Sequence, residues 1–162
     1  MTGNQNCITY LKGDATNPKG NDPRIIVHIC NDIGKWGKGF VLAISKRWKS
    51  PEAVYRAAFS SRQNPGLGEV QFITVDVNLV VANIIGQSGI RTPSDTKSPA
   101  PIRYAAVRKG LQEVAEFAKQ ENASVHMPRI GCGLAGGRWE VIEPIIIETL
   151  IEQGINVCVY DF

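Results

Sequence analysis

The chain has 162 residues, 43% of them hydrophobic, and 18 basic against 15 acidic side chains give a formal net charge of +3. A chain of this length buries roughly 70% of its unfolded surface, enough for one core without disulfide or metal staples. The mild charge argues against duplex nucleic acid as the partner, and no apolar run approaches the ~18 residues of a membrane helix.

Cys7 to Leu11 reads as a short strand, followed by the turn Lys12-Gly13-Asp14. Ile25 to Cys30 is an unbroken apolar strand, a pattern that demands cover on both faces. It opens into a glycine-rich stretch, Asn31 to Gly39, and Gly39 to Trp48 then reads as a helix. Ser50 as N-cap and Pro51 as first helical residue start a second helix reaching Ser61. Glu69 to Val75 and Leu79 to Ile85 form a strand pair turned around Asp76-Val77-Asn78. Gly86 to Pro101 is a long polar loop with three prolines, of the length that usually serves as a lid or binding loop. An amphipathic helix runs from Ile102 to Gln120 and carries Gly110 inside it. Ser124 to Met127 is a strand, Arg138 to Leu150 a helix with Pro144 within its first turn or so, and Ile155 to Tyr160 the last strand.

This alternation predicts an α/β fold: a three-layer α/β/α sandwich with a mixed, mostly parallel central sheet. No repeat or boundary divides the chain, so one domain is expected over residues 1–162. Ligands in such sheets bind at the carboxyl ends of the strands. Asp14, the stretch after Cys30, Gln87 with Ser88, and the run Pro128 to Gly137 should therefore converge on one cleft. The last run holds four glycines just before a helix, and the stretch after Cys30 has the same grammar. Glycines there let backbone N–H groups approach a ligand, and a helix N-terminus adds partial positive charge, a combination suited to phosphate.

The four cysteines show no C-x-x-C spacing. Cys7, Cys30 and Cys158 lie in apolar runs, where thiols pack as small hydrophobes, and a reducing cytoplasm is the expected compartment. Cys132 alone lies in the glycine loop, as packing, as ligand lining or as a nucleophile. Lys35, Lys38, Lys46, Arg47 and Lys49 form a loose basic cluster, either a solvated helix face or an attractor for an anionic ligand. Only His28 and His126 occur, neither with a ligand-spaced partner, so no metal is expected. His126 is read as structural.

Lys12-Gly13-Asp14, Trp36-Gly37-Lys38-Gly39 and Met127-Pro128-Arg129-Ile130-Gly131-Cys132-Gly133-Leu134, in that order, resemble a macrodomain, the ADP-ribose-binding fold. Within it the chain is similar to the branch of the terminal ADP-ribose protein glycohydrolase and the yeast-type ADP-ribose-1″-phosphate phosphatase. The resemblance implies that Asp14, with Ala15 and Thr16 alongside, meets the adenine, and that Phe162 or Tyr160 lies near it. It gives the diphosphate to the loop Gly131, Cys132, Gly133 and Leu134, counts Arg129, Ile130 and Ala135 among the ligand-binding residues, and brings Gly37 and Gly39 to the distal ribose, with Trp36 lining the ligand. Where the glycohydrolases carry a lysine nucleophile and an aspartate acid/base, this chain holds Gln87 and Ala135. An amide is a poor nucleophile and alanine has no proton to exchange, so the lysine-adduct route is not expected.

The remaining catalytic candidates are His28, Asn31, Asp32 and Gln87. His28 reads as acid–base group or hydrogen-bonded core histidine, Asp32 as general base or Asx-turn residue. Asn31 reads as orienting ribose or water. Gln87 reads as positioning water, or as a loop residue satisfying nearby backbone. The functions expected are removal of ADP-ribose from acidic protein side chains, dephosphorylation of ADP-ribose-1″-phosphate, or non-catalytic reading of ADP-ribose. ADP-ribose and ADP-ribosylated proteins are the expected partners, with ADP-ribosylated nucleic acid ends also open. No cofactor, no membrane association and a monomer complete the expectations.

Overall fold

The computed structural model describes residues 7–92, 94, 95, 97 and 99–162. Among them the regular elements are β1 (Thr9–Lys12), β2 (Arg24–Asn31), α1 (Phe40–Arg47), α2 (Ser50–Ser60), β3 (Val70–Asp76), β4 (Leu79–Gln87), α3 (Tyr104–Glu121), β5 (Ser124–Met127), α4 (Trp139–Thr149) and β6 (Val157–Asp161). The strands form one sheet in the order β1-β6-β5-β2-β4-β3, parallel except for the β3–β4 hairpin.

Alternation along β2 explains the layers. Ile26 and Cys30, with Val81 and Ile85 of β4, pack against Ile44 of α1 and Tyr55 of α2. Ile25 and Val27, with Ala82 and Ile84, face Leu111 and Val114 of α3 and Ile142 and Ile146 of α4. Both faces of the central strands are thereby covered, and the α/β/α sandwich holds as expected. No helix among the described residues is long and apolar enough to cross a membrane.

The boundaries differ from expectation where tertiary contacts decide. β4 continues through Gly86 to Gln87, because Gln87 pairs with Asn31 after a register shift and bridges to Ile102. Ser50 is already helical; Lys49 precedes the helix and provides no side-chain cap. Pro144 is the sixth residue of α4, in its interior rather than its first turn. A 3₁₀ turn at Ile151–Gln153 and the positive-φ Gly154 delay β6 to Val157.

Gly110 has a packing reason. A Cβ there would lie 2.5 Å from Cγ2 of Ile84, a residue with no exposed surface. Alanine gains about 1 kcal/mol over glycine in a helix interior, but forcing a methyl into a packed core costs about 1–3 kcal/mol. Gly110→Ala is therefore expected to lower the urea midpoint at unchanged m-value, a loss of about 1 kcal/mol.

Candidate functional site

A cleft of about 400 Å³ opens at the carboxyl ends of β2, β4 and β5. Its walls are the segments Lys35 to Val41 and Pro128 to Ala135; His28, Asn31 and Gln87 contribute from the strands, and Ile90, Arg91 and Thr92 from the long loop.

The first wall is folded around Asn31. Its Oδ1 accepts from the backbone N–H of Ile33 and of Lys35, both at 3.1 Å, and from the Tyr55 hydroxyl at 2.6 Å. Its Nδ2 donates to the Lys35 carbonyl at 2.6 Å. Trp36 is then seated between α1 and α2: its Nε1 donates to Ser45 Oγ at 2.8 Å, and Ser45 donates to Glu52 at 2.8 Å. Gly37 and Gly39 follow with nothing within 4 Å of a notional Cβ, so both are open.

The second wall is closed on itself. Gly137 N–H donates to the Gly131 carbonyl at 2.7 Å, Gly136 to Gly133 at 2.9 Å, and Ile102 to Ala135 at 3.0 Å. A Cβ on Gly137 would sit 2.3 Å from the Gly131 oxygen, and one on Gly131 2.7 Å from Ile102 Cδ1. Gly133 is different: its φ is +79°, yet no atom lies within 4 Å of a Cβ. Among the described residues, the N–H groups of Gly133, Leu134 and Ala135 have no backbone acceptor. Cys132 lines the cleft as a thiol; partial burial pushes its pKa up against the opposing pull of Arg129.

Arg129 braces this loop from behind. Its guanidinium makes a two-pronged pair with Asp161, Nε to Oδ1 at 2.7 Å and Nη2 to Oδ2 at 3.0 Å. It also lies 5.1 Å from the ring centroids of both Tyr10 and Trp139. Arg129, expected to touch ligand, lines the cleft with its guanidinium paired to Asp161.

Of the four catalytic candidates, His28, Asn31 and Gln87 line the cleft. Asn31 lines the cleft, but its amide is used to fold the loop. Asp32 is not a lining residue; its Oδ1 accepts from Gly89 N–H at 2.8 Å, a contact across 57 residues and not a local Asx turn. Gln87 Nε2 donates to the Gly89 carbonyl at 3.0 Å, so these two side chains together pin the start of the long loop. His28 is 2% exposed, and burial pushes its imidazole down to about 4 against the opposing Asn83 hydrogen bond.

The expected convergence is incomplete at β1. Asp14, Ala15, Thr16 and Phe162 are not lining residues of the cleft. Asp14 Oδ1 instead accepts from Thr16 N at 2.8 Å and Thr16 Oγ1 at 2.7 Å, and its Oδ2 is 3.6 Å from Arg47. Partial burial raises the Asp14 carboxyl, but those hydrogen bonds and Arg47 outweigh it and hold the group below the usual range. β1 is an edge strand separated from β5 by β6. Phe162 is fully exposed; Tyr160 is buried, its hydroxyl joined to His126 Nδ1 at 2.8 Å and accepting from Lys19 N at 3.0 Å.

Sequence reasoning assigned no site role to Ile90, Arg91 and Thr92; the length of their loop was the available signal. Lys35 and Lys38 of the loose basic cluster do reach the cleft, whereas Lys46, Arg47 and Lys49 lie at the far end of α1 or just beyond it. The lining carries Lys35, Lys38 and Arg91, with Arg129 paired to Asp161, and no carboxylate among the described residues, a field suited to an anionic ligand.

No family model matches the chain. A solved macrodomain protein from Streptomyces coelicolor superposes with a TM-score of 0.83 at 48% identity, covering 96% of this chain and 99% of that one. A protein of unknown function from Bacteroides thetaiotaomicron superposes at 0.91 with 59% identity over 96% and 98%. The chain belongs to the macrodomain family. Chromodomain-helicase-DNA-binding protein 1-like of Mus musculus is 32% identical over 96% of this chain, which spans only 18% of that protein. At 25% identity it is similar to the ADP-ribose 1″-phosphate phosphatase of Candida albicans, over 87% of this chain and 92% of that protein. An ADP-ribose glycohydrolase of Bos taurus is also 25% identical, over 94% and 90%.

The two buried histidines give this fold a pH signature. Burial pushes His126 down to about 4 with help from Arg24, and His28 to about 4 as well, against an ordinary 6.5. In acid the unfolded chain takes up these protons first. Stability is therefore full above about 6.5 and falls toward about 4, by up to ~1.4 kcal/mol per pH unit per histidine. Urea midpoints at pH 7 and pH 5 check this, and a flat profile across that window would contradict it.

Proposed function

We propose that this chain binds ADP-ribose in the cleft and releases it, as the terminal unit, from acidic side chains of modified proteins. The observation that carries the reading is the pair of glycine loops on one cleft, with open space at Gly37, Gly39 and Gly133. N–H groups at Gly133 to Ala135, without a backbone acceptor among the described residues, suit a diphosphate, and the cationic lining draws it in. The names of the phosphatase and glycohydrolase relatives support the ligand and the hydrolytic chemistry.

The scissile link is an ester between the anomeric carbon of the distal ribose and a carboxyl oxygen. Water adds its oxygen to that carbon, the carbon–oxygen bond to the side chain breaks, and the carboxylate departs with the proton passing to solvent. Gln87 is the group assigned to the water: with Nε2 spent on Gly89, its Oε1 is the end that accepts a proton donor. Asn31 and Asp32 contribute by holding the loops and not by touching substrate. A non-catalytic reader is the second reading, favoured by the lack of any carboxylate among the described lining residues.

The test is release of ADP-ribose from a glutamate-ADP-ribosylated protein. Multiple turnover is expected, lowered about 10²-fold by Gln87→Ala at nearly unchanged ADP-ribose affinity. Tight binding without release would establish the reader. Gly37→Val should abolish binding at an unchanged melting temperature, since its side chain enters open space and its φ lies outside the left-handed region. Gly133→Val is the poorer probe, because φ +79° strains any branched residue.

A further inference from the structure

His28 Nδ1 is the one buried side-chain nitrogen or oxygen, among the described residues, with no hydrogen-bond partner. Native folds rarely leave such an atom unused. A chain of three contacts fixes what that atom is. Asn83 Nδ2 lies 3.2 Å from the Pro51 carbonyl, which has no proton to give, so this end of the amide must be the donor. The same Nδ2 donates to Gln71 Oε1 at 3.1 Å. The other end, Oδ1, is then a carbonyl, and it faces His28 Nε2 at 2.5 Å. A carbonyl only accepts, so Nε2 carries the hydrogen. In a neutral imidazole Nδ1 is then a bare lone pair.

The placement of the ring adds the second half. Nε2 faces Asn83, which does not line the cleft, with the Sγ of Cys30, which does, 4.0 Å away. His28 itself lines the cleft, as do the two rings packed on it, Trp36 at 5.4 Å and Phe40 at 5.9 Å. Those rings belong to the segment that carries Gly37 and Gly39.

We propose that His28 Nδ1 accepts a hydrogen bond from a hydroxyl of the distal ribose of bound ADP-ribose, and that Asn83 is the positioning residue that keeps this lone pair presented. This deepens the reading of the cleft as an ADP-ribose site and rests on it. It also narrows the role of His28. The residue serves as a neutral acceptor that orients the sugar, and it is neither a general acid nor a cation for phosphate.

Nitrogen-15 NMR of the histidine-labelled 162-residue chain tests the proposal without any mutation. The free protein should show His28 as the Nε2–H tautomer. Saturation with ADP-ribose should shift Nδ1 in the direction of an accepted hydrogen bond, with Nε2 still protonated, whereas ADP, which lacks the distal ribose, should leave Nδ1 in place. Calorimetry run alongside reads binding separately, and His28→Phe should weaken ADP-ribose about tenfold with ADP affinity unchanged. A free-state Nδ1–H tautomer, or an Nδ1 unmoved while calorimetry shows ADP-ribose bound, would overturn the proposal and leave the ligand assignment standing. Absence of ADP-ribose binding would overturn both.

Discussion

One side-chain amide holds the functional edge of this molecule together. Asn31 is the last residue of β2, just beyond a register shift in its pairing with β4. An ordinary strand end would release the chain into solvent. Here the amide takes two backbone N–H groups and gives one proton to a carbonyl four residues on. The Tyr55 hydroxyl, wholly buried, bonds both the carbonyl and the side chain of Asn31. The loop is thereby turned back toward α1, Trp36 reaches its socket, and Gly37 and Gly39 arrive at the cleft with their backbone exposed. The polar groups are satisfied inside the protein, so the wall does not depend on solvent to keep its shape.

The opposite wall solves the same problem by other means. Backbone hydrogen bonds between Gly131 and Gly137 and between Gly133 and Gly136 knot it locally, and Arg129 anchors it between two aromatic rings and a carboxylate. Its glycines divide by purpose. Gly131 and Gly137 are small because neighbouring atoms leave no room, and Gly133 is bare on a side that faces nothing. Rigid bases with open tips are what a site needs if its donors are to be in place before the ligand arrives.

The architecture was legible because burial on two faces writes itself into β2 as an unbroken apolar run and into the helices as spaced stripes. Both glycine loops were legible from composition at strand ends. Local sequence did not reveal how each polar residue would be spent. Asn31 and Asp32 look alike as candidates, yet one lines the cleft while folding it and the other caps Gly89, a residue far along the chain. The same holds for Asp14, whose loop follows a strand as the others do and whose carboxylate is taken up by Thr16 and Arg47. Strand order is set by contacts across the whole chain, and no short window of sequence carries it.

The bond between Arg129 and Asp161 has a temporal side. Asp161 closes β6, so the brace of the second wall joins the carboxyl ends of the neighbouring parallel strands β5 and β6, 32 residues apart along the chain. A chain in which β6 has not docked holds the glycine segment without its backing, so the second wall acquires its anchor with that pairing.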